Sequence, residues 1–128
     1  MKTDLTYLKT MSGEDPELMT EMIEIFIAQV EEFKNDLQTL HDKGEYSELG
    51  KMAHKAKSSV AIMGMEVLAD KLKELELLTK ENKKTESFQN YISLFNSECD
   101  EAIVELKHFQ NNIDLSKIHH HATNKKSK

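Results

Sequence analysis

Apolar residues recur along this chain at three- and four-residue steps, the spacing that lines one face of a helix. Leu18, Met22, Ile25, Phe26, Gln29, Phe33, Leu37 and Leu40 trace one long stripe. Leu49, Met52, Ala53, Ala56, Val60 and Met63 trace a second, and Leu68, Leu72, Leu75 and Leu78 a third. The clearest runs from Phe88 through Tyr91, Ile92, Phe95, Cys99, Ala102, Ile103, Leu106 and Phe109 to Ile113. Each predicts an amphipathic helix. Few windows show the apolar–polar alternation of a half-buried strand, so the chain reads as all-α.

The segments between the stripes carry stop and start signals. "TDLTYLKTM" predicts a short helix capped by Asp4 or Thr3, with Leu5 and Leu8 turned inward. Asp15, Pro16 and Glu17 then form an N-terminal cap, first helical position and acidic first turn. Gly44 suits the position just past a helix end, the next helix starts near Tyr46, and Gly64 ends or bends it. "TKENKKTES" is the polar turn before the last helix. Four long helices with short connections pack best as an antiparallel up-down four-helix bundle, the short additional N-terminal helix capping one end. The predicted bundle spans 1–116. Residues 117–128, "KIHHHATNKKSK", are polar and without periodicity and predict a disordered C-terminal tail.

Composition sharpens this picture. The chain has 128 residues, enough for one domain with its own core, and four glycines with one proline, which favours helix. Its 17 basic and 23 acidic residues give a formal charge of -6, which argues against a nucleic-acid binder. The single cysteine, Cys99, precludes an intrachain disulfide and suits a reducing compartment; on its apolar stripe it reads as a small buried hydrophobe. There is no leader-like or membrane-spanning apolar run. A soluble, cytoplasmic monomer without membrane association is the expectation.

Within this acidic chain, no carboxylate occurs between Leu49 and Met65, and the gap contains His54 among Lys51, Lys55 and Lys57. At about 100° per residue, His54 lies about 150° from the centre of its helix's apolar cluster and points to solvent. Ser47, Gly50, Lys57, Ser58 and Ala61 share that outward side, all small except the lysine. Small neighbours leave room for another protein to approach, and the lysines attract an anionic group. A neutral imidazole is a nucleophile near pH 7, and phosphoryl transfer needs chiefly alignment and charge neutralisation. The competing reading is an ordinary surface histidine beside lysines.

The stretch "AHKAKSSVAIMGMEVLADKLKELE" resembles the signature of histidine-containing phosphotransfer (HPt) domains, roughly A-H-x-x-K-G-S-S/A, a glycine, and a leucine-rich next helix ending in L-E. Ala53, His54, Lys57, Ser59, Gly64, Leu68, Leu75 and Glu76 carry the match. "YLKTMSGEDPELMTEMIEIFI" is similar to the family's first two helices, and the resemblance extends over residues 3–112. It implies a helical bundle whose histidine, His54, accepts a phosphoryl group from a receiver-domain aspartate of a response regulator and passes it to another receiver. Lys57 would stabilise the phosphoryl group, Glu76 would orient the ring or a water, and Lys80 would add a second positive charge. The chain departs from the family at Ser58, where glycine is usual, which bears on transfer rate or partner choice.

Docking residues follow from the same picture. Met19, Ile23 and Ile27 drift toward the outward side of the second helix and form either an apolar patch for the receiver or the edge of a wide core face. Gly50, Lys51, Lys55, Ser58, Ala61 and Lys80 would complete the binding surface. The expected partners are receiver domains and a hybrid histidine kinase.

Other chemistries find less support. A di-iron bundle needs two Glu-x-x-His pairs, and only Glu105–His108 has that spacing. No glycine-rich phosphate loop is present, so autokinase activity is not expected. No metal or cofactor is expected in the chain; the divalent metal for transfer would belong to the partner receiver. A non-catalytic adaptor that docks a receiver or kinase without carrying phosphate is the alternative. Met1 followed directly by the first helix favours a free-standing protein over a module of a hybrid kinase.

Overall fold

Four short breaks divide the chain into its helices. In the computed structural model, which describes residues 2–127 and their side chains as far as Ile113, α1 spans Thr6–Ser12 and α2 Pro16–Asp42. They are followed by α3 (Tyr46–Ile62), α4 (Glu66–Glu81), a short 3-10 turn at Thr85–Ser87, and α5 (Phe88–Ser127). The tail expected at 117–128, with His119, His120 and His121, lies outside the residues whose side chains are described.

Asp15 caps α2 by accepting from the Glu17 N–H, with Pro16 at the first helical position, where its missing N–H costs nothing. Asp4 acts one residue earlier than a cap, its carboxylate accepting from the Thr6 N–H and hydroxyl at 3.0 and 2.7 Å. At the far end of α2 the Glu45 N–H bonds to Leu40 O and the Gly44 N–H to His41 O. That paired closure needs a left-handed residue, supplied by Gly44 at φ 71°. Gly64, at φ 72°, closes α3 in the same way: Met65 N–H reaches Val60 O and Gly64 N–H reaches Ala61 O. The helix therefore ends at Gly64; it does not bend there.

Each long helix buries one face in a single core. From α2 come Met19, Ile23, Phe26, Val30, Phe33 and Leu37; from α3 come Leu49, Ala53, Ala56 and Val60. Leu68, Leu72 and Leu75 of α4 meet Phe88, Ile92, Phe95, Cys99, Ala102 and Leu106 of α5 in the same cluster. Phe33 packs edge-on against Phe95, and Tyr46 edge-on against Phe88, an arrangement that suits the ring quadrupoles.

The expected stripe on α2 is corrected by one register. Leu18 and Ile25 are exposed, and the buried set steps by four and three residues from Met19 to Leu37. The first half of α2 carries apolar residues over a wide arc opposite Glu17, Thr20, Glu21 and Glu24, so periodicity alone does not fix which of them face the core. The choice is decided by the long-range packing of Phe26, Val30 and Phe33 on the other helices.

Side-chain bonds between helices record the antiparallel order. Ser59 donates to Gln29 at 3.1 Å, and Gln38 and Gln89 exchange two amide hydrogen bonds at 2.7 and 3.1 Å. Lys34 pairs with Asp100 across the same two helices. The result is an antiparallel four-helix bundle with α1 as a short additional helix, and no strand occurs among the described residues. The N-terminal segment is strapped down: Glu105 accepts from the Lys2 and Thr3 N–H groups and the Thr3 hydroxyl, and the Asp4 N–H bonds to Met63 O. No helix among the described residues is long and apolar enough to cross a membrane.

Candidate functional site

The core residues Leu49, Ala53, Ala56 and Val60 fix the rotation of α3 and so turn His54 outward, its side chain 57% exposed. Glu76, on the neighbouring α4, approaches from the side. Its Oε1 lies 3.1 Å from His54 Nδ1 and 3.8 Å from Lys57 Nζ, and its Oε2 lies 3.4 Å from Lys80 Nζ. One carboxylate thus gathers three of the residues singled out in the sequence.

The Glu76 side chain is only 13% exposed. Burial pushes its carboxyl up, but hydrogen bonds from His54 and Lys80, with their charges, outweigh burial and hold it below the usual carboxylate range. An ionised carboxylate only accepts. The proton in the contact therefore sits on Nδ1, and a ring that carries only this proton has its lone pair on Nε2, the nitrogen that Glu76 does not engage.

Beside the imidazole, between α3 and α4, opens a recess of about 630 Å³. His54, Lys51 and Lys55 border it from α3 and Glu76, Thr79 and Lys80 from α4. Lys51 is also paired with Glu48 at 3.2 Å; both are exposed, and such a pair contributes little stability. Ser47, Ser58 and Ala61 are exposed, as their position beside His54 predicts. The Ser58 hydroxyl turns back along its own helix to the His54 carbonyl at 3.4 Å, away from the imidazole.

Two expectations are corrected here. Met19 and Ile23 are not an outward patch, since both are buried in the core, and Ile27 is partly buried against it. The exposed large apolar residues of α2 are Leu18 and Ile25. Ile62 of α3 is also exposed, and the Ser59–Gln29 bond sets the register that brings Ile25 and Ile62, one turn beyond each partner, to the same level. Gly50, placed on the outward side in the sequence reading, is buried. It lies at the floor of the recess, where a Cβ would collide with the Thr79 hydroxyl.

Thr79 was absent from the candidate residues. It is buried on the core-facing side of α4 and donates to the Glu76 carbonyl at 2.7 Å. The signal in the sequence is its place four residues after Leu75 and seven after Leu72, a polar residue on an apolar stripe.

Other candidate chemistry is absorbed by structure. Burial pushes the Cys99 thiol up to about 12, which leaves it inert as a nucleophile. Glu105 is engaged by the N-terminal strap, and no group of three or more potential metal ligands occurs among the described residues. A family model described as "Hpt domain" matches residues 21–103. The matched span contains His54, Lys57, Glu76 and Lys80 and leaves out α1 and Glu105. No curated protein and no solved structure matches the chain.

Proposed function

Since the chain belongs to the Hpt domain family, which carries two-component phosphotransfer roles, we propose that it is a phosphorelay intermediate with His54 as acceptor and donor. The observation that carries this reading is the Glu76 contact, which engages Nδ1 of an exposed imidazole and leaves Nε2 as the nitrogen available for attack.

In the forward step Nε2 attacks the phosphorus of a receiver's aspartyl phosphate. The N–P bond forms as the P–O bond to the aspartate breaks, and that carboxylate leaves with the electron pair. The imidazole gains positive charge as it bonds to phosphorus, and Glu76, held at Nδ1, is placed to stabilise that charge. Lys57 and Lys80, both within reach of the Glu76 carboxylate in the resting protein, would turn to the phosphoryl oxygens. Transfer to a second receiver reverses the same steps. The divalent metal would be held by the receiver, and a hybrid histidine kinase would supply the group upstream.

The docking face on this reading is the recess with its rim of Lys51 and Lys55, continued by Ser58, Ala61, Ile25 and Ile62. The lysines suit the acidic active site of a receiver, and the small and apolar residues allow its backbone to come close. The test is incubation with a phosphorylated receiver. The parent protein gains acid-labile phosphate and His54→Ala gains none. Equal labelling of the two would remove His54 from the mechanism, and binding without labelling of the parent would identify a non-catalytic adaptor.

A further inference from the structure

We propose that the close approach of Gly50 to Thr79 sets the distance at which Glu76 reaches His54, so that Gly50 is a positioning residue for the imidazole. The proposal deepens the phosphotransfer reading and rests on it for its kinetic consequence only.

Gly50 precedes His54 by one helical turn on α3, and Thr79 follows Glu76 by one turn on α4. The two contacts are therefore adjacent rungs between the same antiparallel helices. Glycine inside a helix costs about 1 kcal/mol relative to alanine. Gly50 is not in the positive-φ region that would offset the cost, so space is its explanation. A Cβ at position 50 would fall on the Thr79 hydroxyl and lie 3.2 Å from Thr79 Cβ and 3.6 Å from the Glu76 carbonyl oxygen.

Thr79 has little freedom to yield. Its hydroxyl is committed to the Glu76 carbonyl, and its Cβ moves only with the backbone of α4. An alanine at 50 must either part the helices at this level or break the bond that joins Thr79 to the turn carrying Glu76. The next rung is the 3.1 Å contact between Glu76 and His54. Side-chain hydrogen bonds fade beyond about 3.5 Å, so a displacement of a few tenths of an ångström releases Nδ1. An exposed imidazole so released populates the Nε2–H tautomer, in which the outward nitrogen has no lone pair to offer.

The test compares Gly50→Ala, Thr79→Ala and the double variant in the unphosphorylated protein by ¹⁵N shifts of the His54 ring, alongside transfer rates from a phosphorylated receiver. Gly50→Ala moves His54 toward the Nε2–H tautomer and slows transfer about tenfold. Thr79→Ala removes the nearer obstruction, the hydroxyl, but leaves its Cβ 3.2 Å from that of residue 50, so the double variant recovers both in part. An unchanged tautomer in folded Gly50→Ala, or no recovery in the double variant, overturns the proposal. If Gly50→Ala does not fold, Thr79→Val, which turns a methyl group toward Gly50, is read with the same expectation. The ring measurement stands even if the parent protein accepts no phosphate, a result that would remove the phosphotransfer reading and leave this one to be decided by the tautomer alone.

Discussion

Glu76 meets His54 at Nδ1 from a separate helix, 22 residues away in the chain. A partner on another helix is oriented by the packing of the bundle, so the contact depends on the fold and not on a local turn. Replacing Glu76 with Ala should lower the transfer rate on the order of tenfold or more, the usual effect of losing a group that orients a reactive side chain. Glu76→Gln keeps an acceptor for the Nδ1 proton but not the charge that stabilises the imidazolium, so its loss should be real and the smaller of the two. Rapid-quench transfer from a labelled receiver measures both, and equal losses in the two variants would show that the charge of Glu76 matters more than its orienting bond.

Lys57 is the more buried of the two lysines at Glu76, 26% exposed against 69% for Lys80. Its ammonium therefore moves over a shorter range, and it should contribute more to neutralising a phosphoryl group on His54. Lys57→Ala should slow transfer or shorten phosphohistidine lifetime on the order of tenfold. That is below the loss of about 100-fold or more at an enclosed oxyanion site, because this site is open to water. The fold should persist, as judged by an unchanged thermal transition. A Lys80→Ala variant with the larger defect would reverse the assignment.

Which apolar residues of α2 are core and which are surface could not be read from the chain alone. The α3 and α5 stripes were legible because polar residues flank them clearly; there the expected and observed core agree at Ala53, Ala56, Val60, Phe95 and Leu106. His54 and Glu76 were legible through their motif. Gly50 and Thr79 were not, because their meaning arises only where two helices touch. On α2, Ile23 is fully buried and Ile25 is 58% exposed, two residues apart with the same side chain. Ile23→Ala should cost about 2–5 kcal/mol, and Ile25→Ala no more than about 0.5 kcal/mol. Chemical denaturation measures this difference. Ile25→Asp should weaken receiver binding while leaving the denaturation midpoint near that of the parent. A large stability loss from Ile25→Ala would return the core face to the other register.

Glu105 ties the N-terminal segment to α5 through the Lys2 N–H at 2.7 Å, the Thr3 N–H at 3.0 Å and the Thr3 hydroxyl at 2.8 Å. Burial pushes its carboxyl up, but these hydrogen bonds outweigh burial and hold it below the usual carboxylate range. A folded pKa below the unfolded value, about 4.3, gives stability that is complete above that value and lost as pH falls through the folded pKa. Glu105→Gln presents an amide NH₂ where one of the acceptor oxygens stood, so it should cost about 1–3 kcal/mol at pH 7. The gap between parent and variant should remain constant down to about pH 5 and narrow below pH 4. Asp4, Asp42 and Glu76 are lowered in the same direction, so both proteins lose stability in acid, and only the difference between their denaturation curves reports Glu105. A gap that stays constant through pH 3 would mean that Glu105 holds the strap by shape and not by its charge.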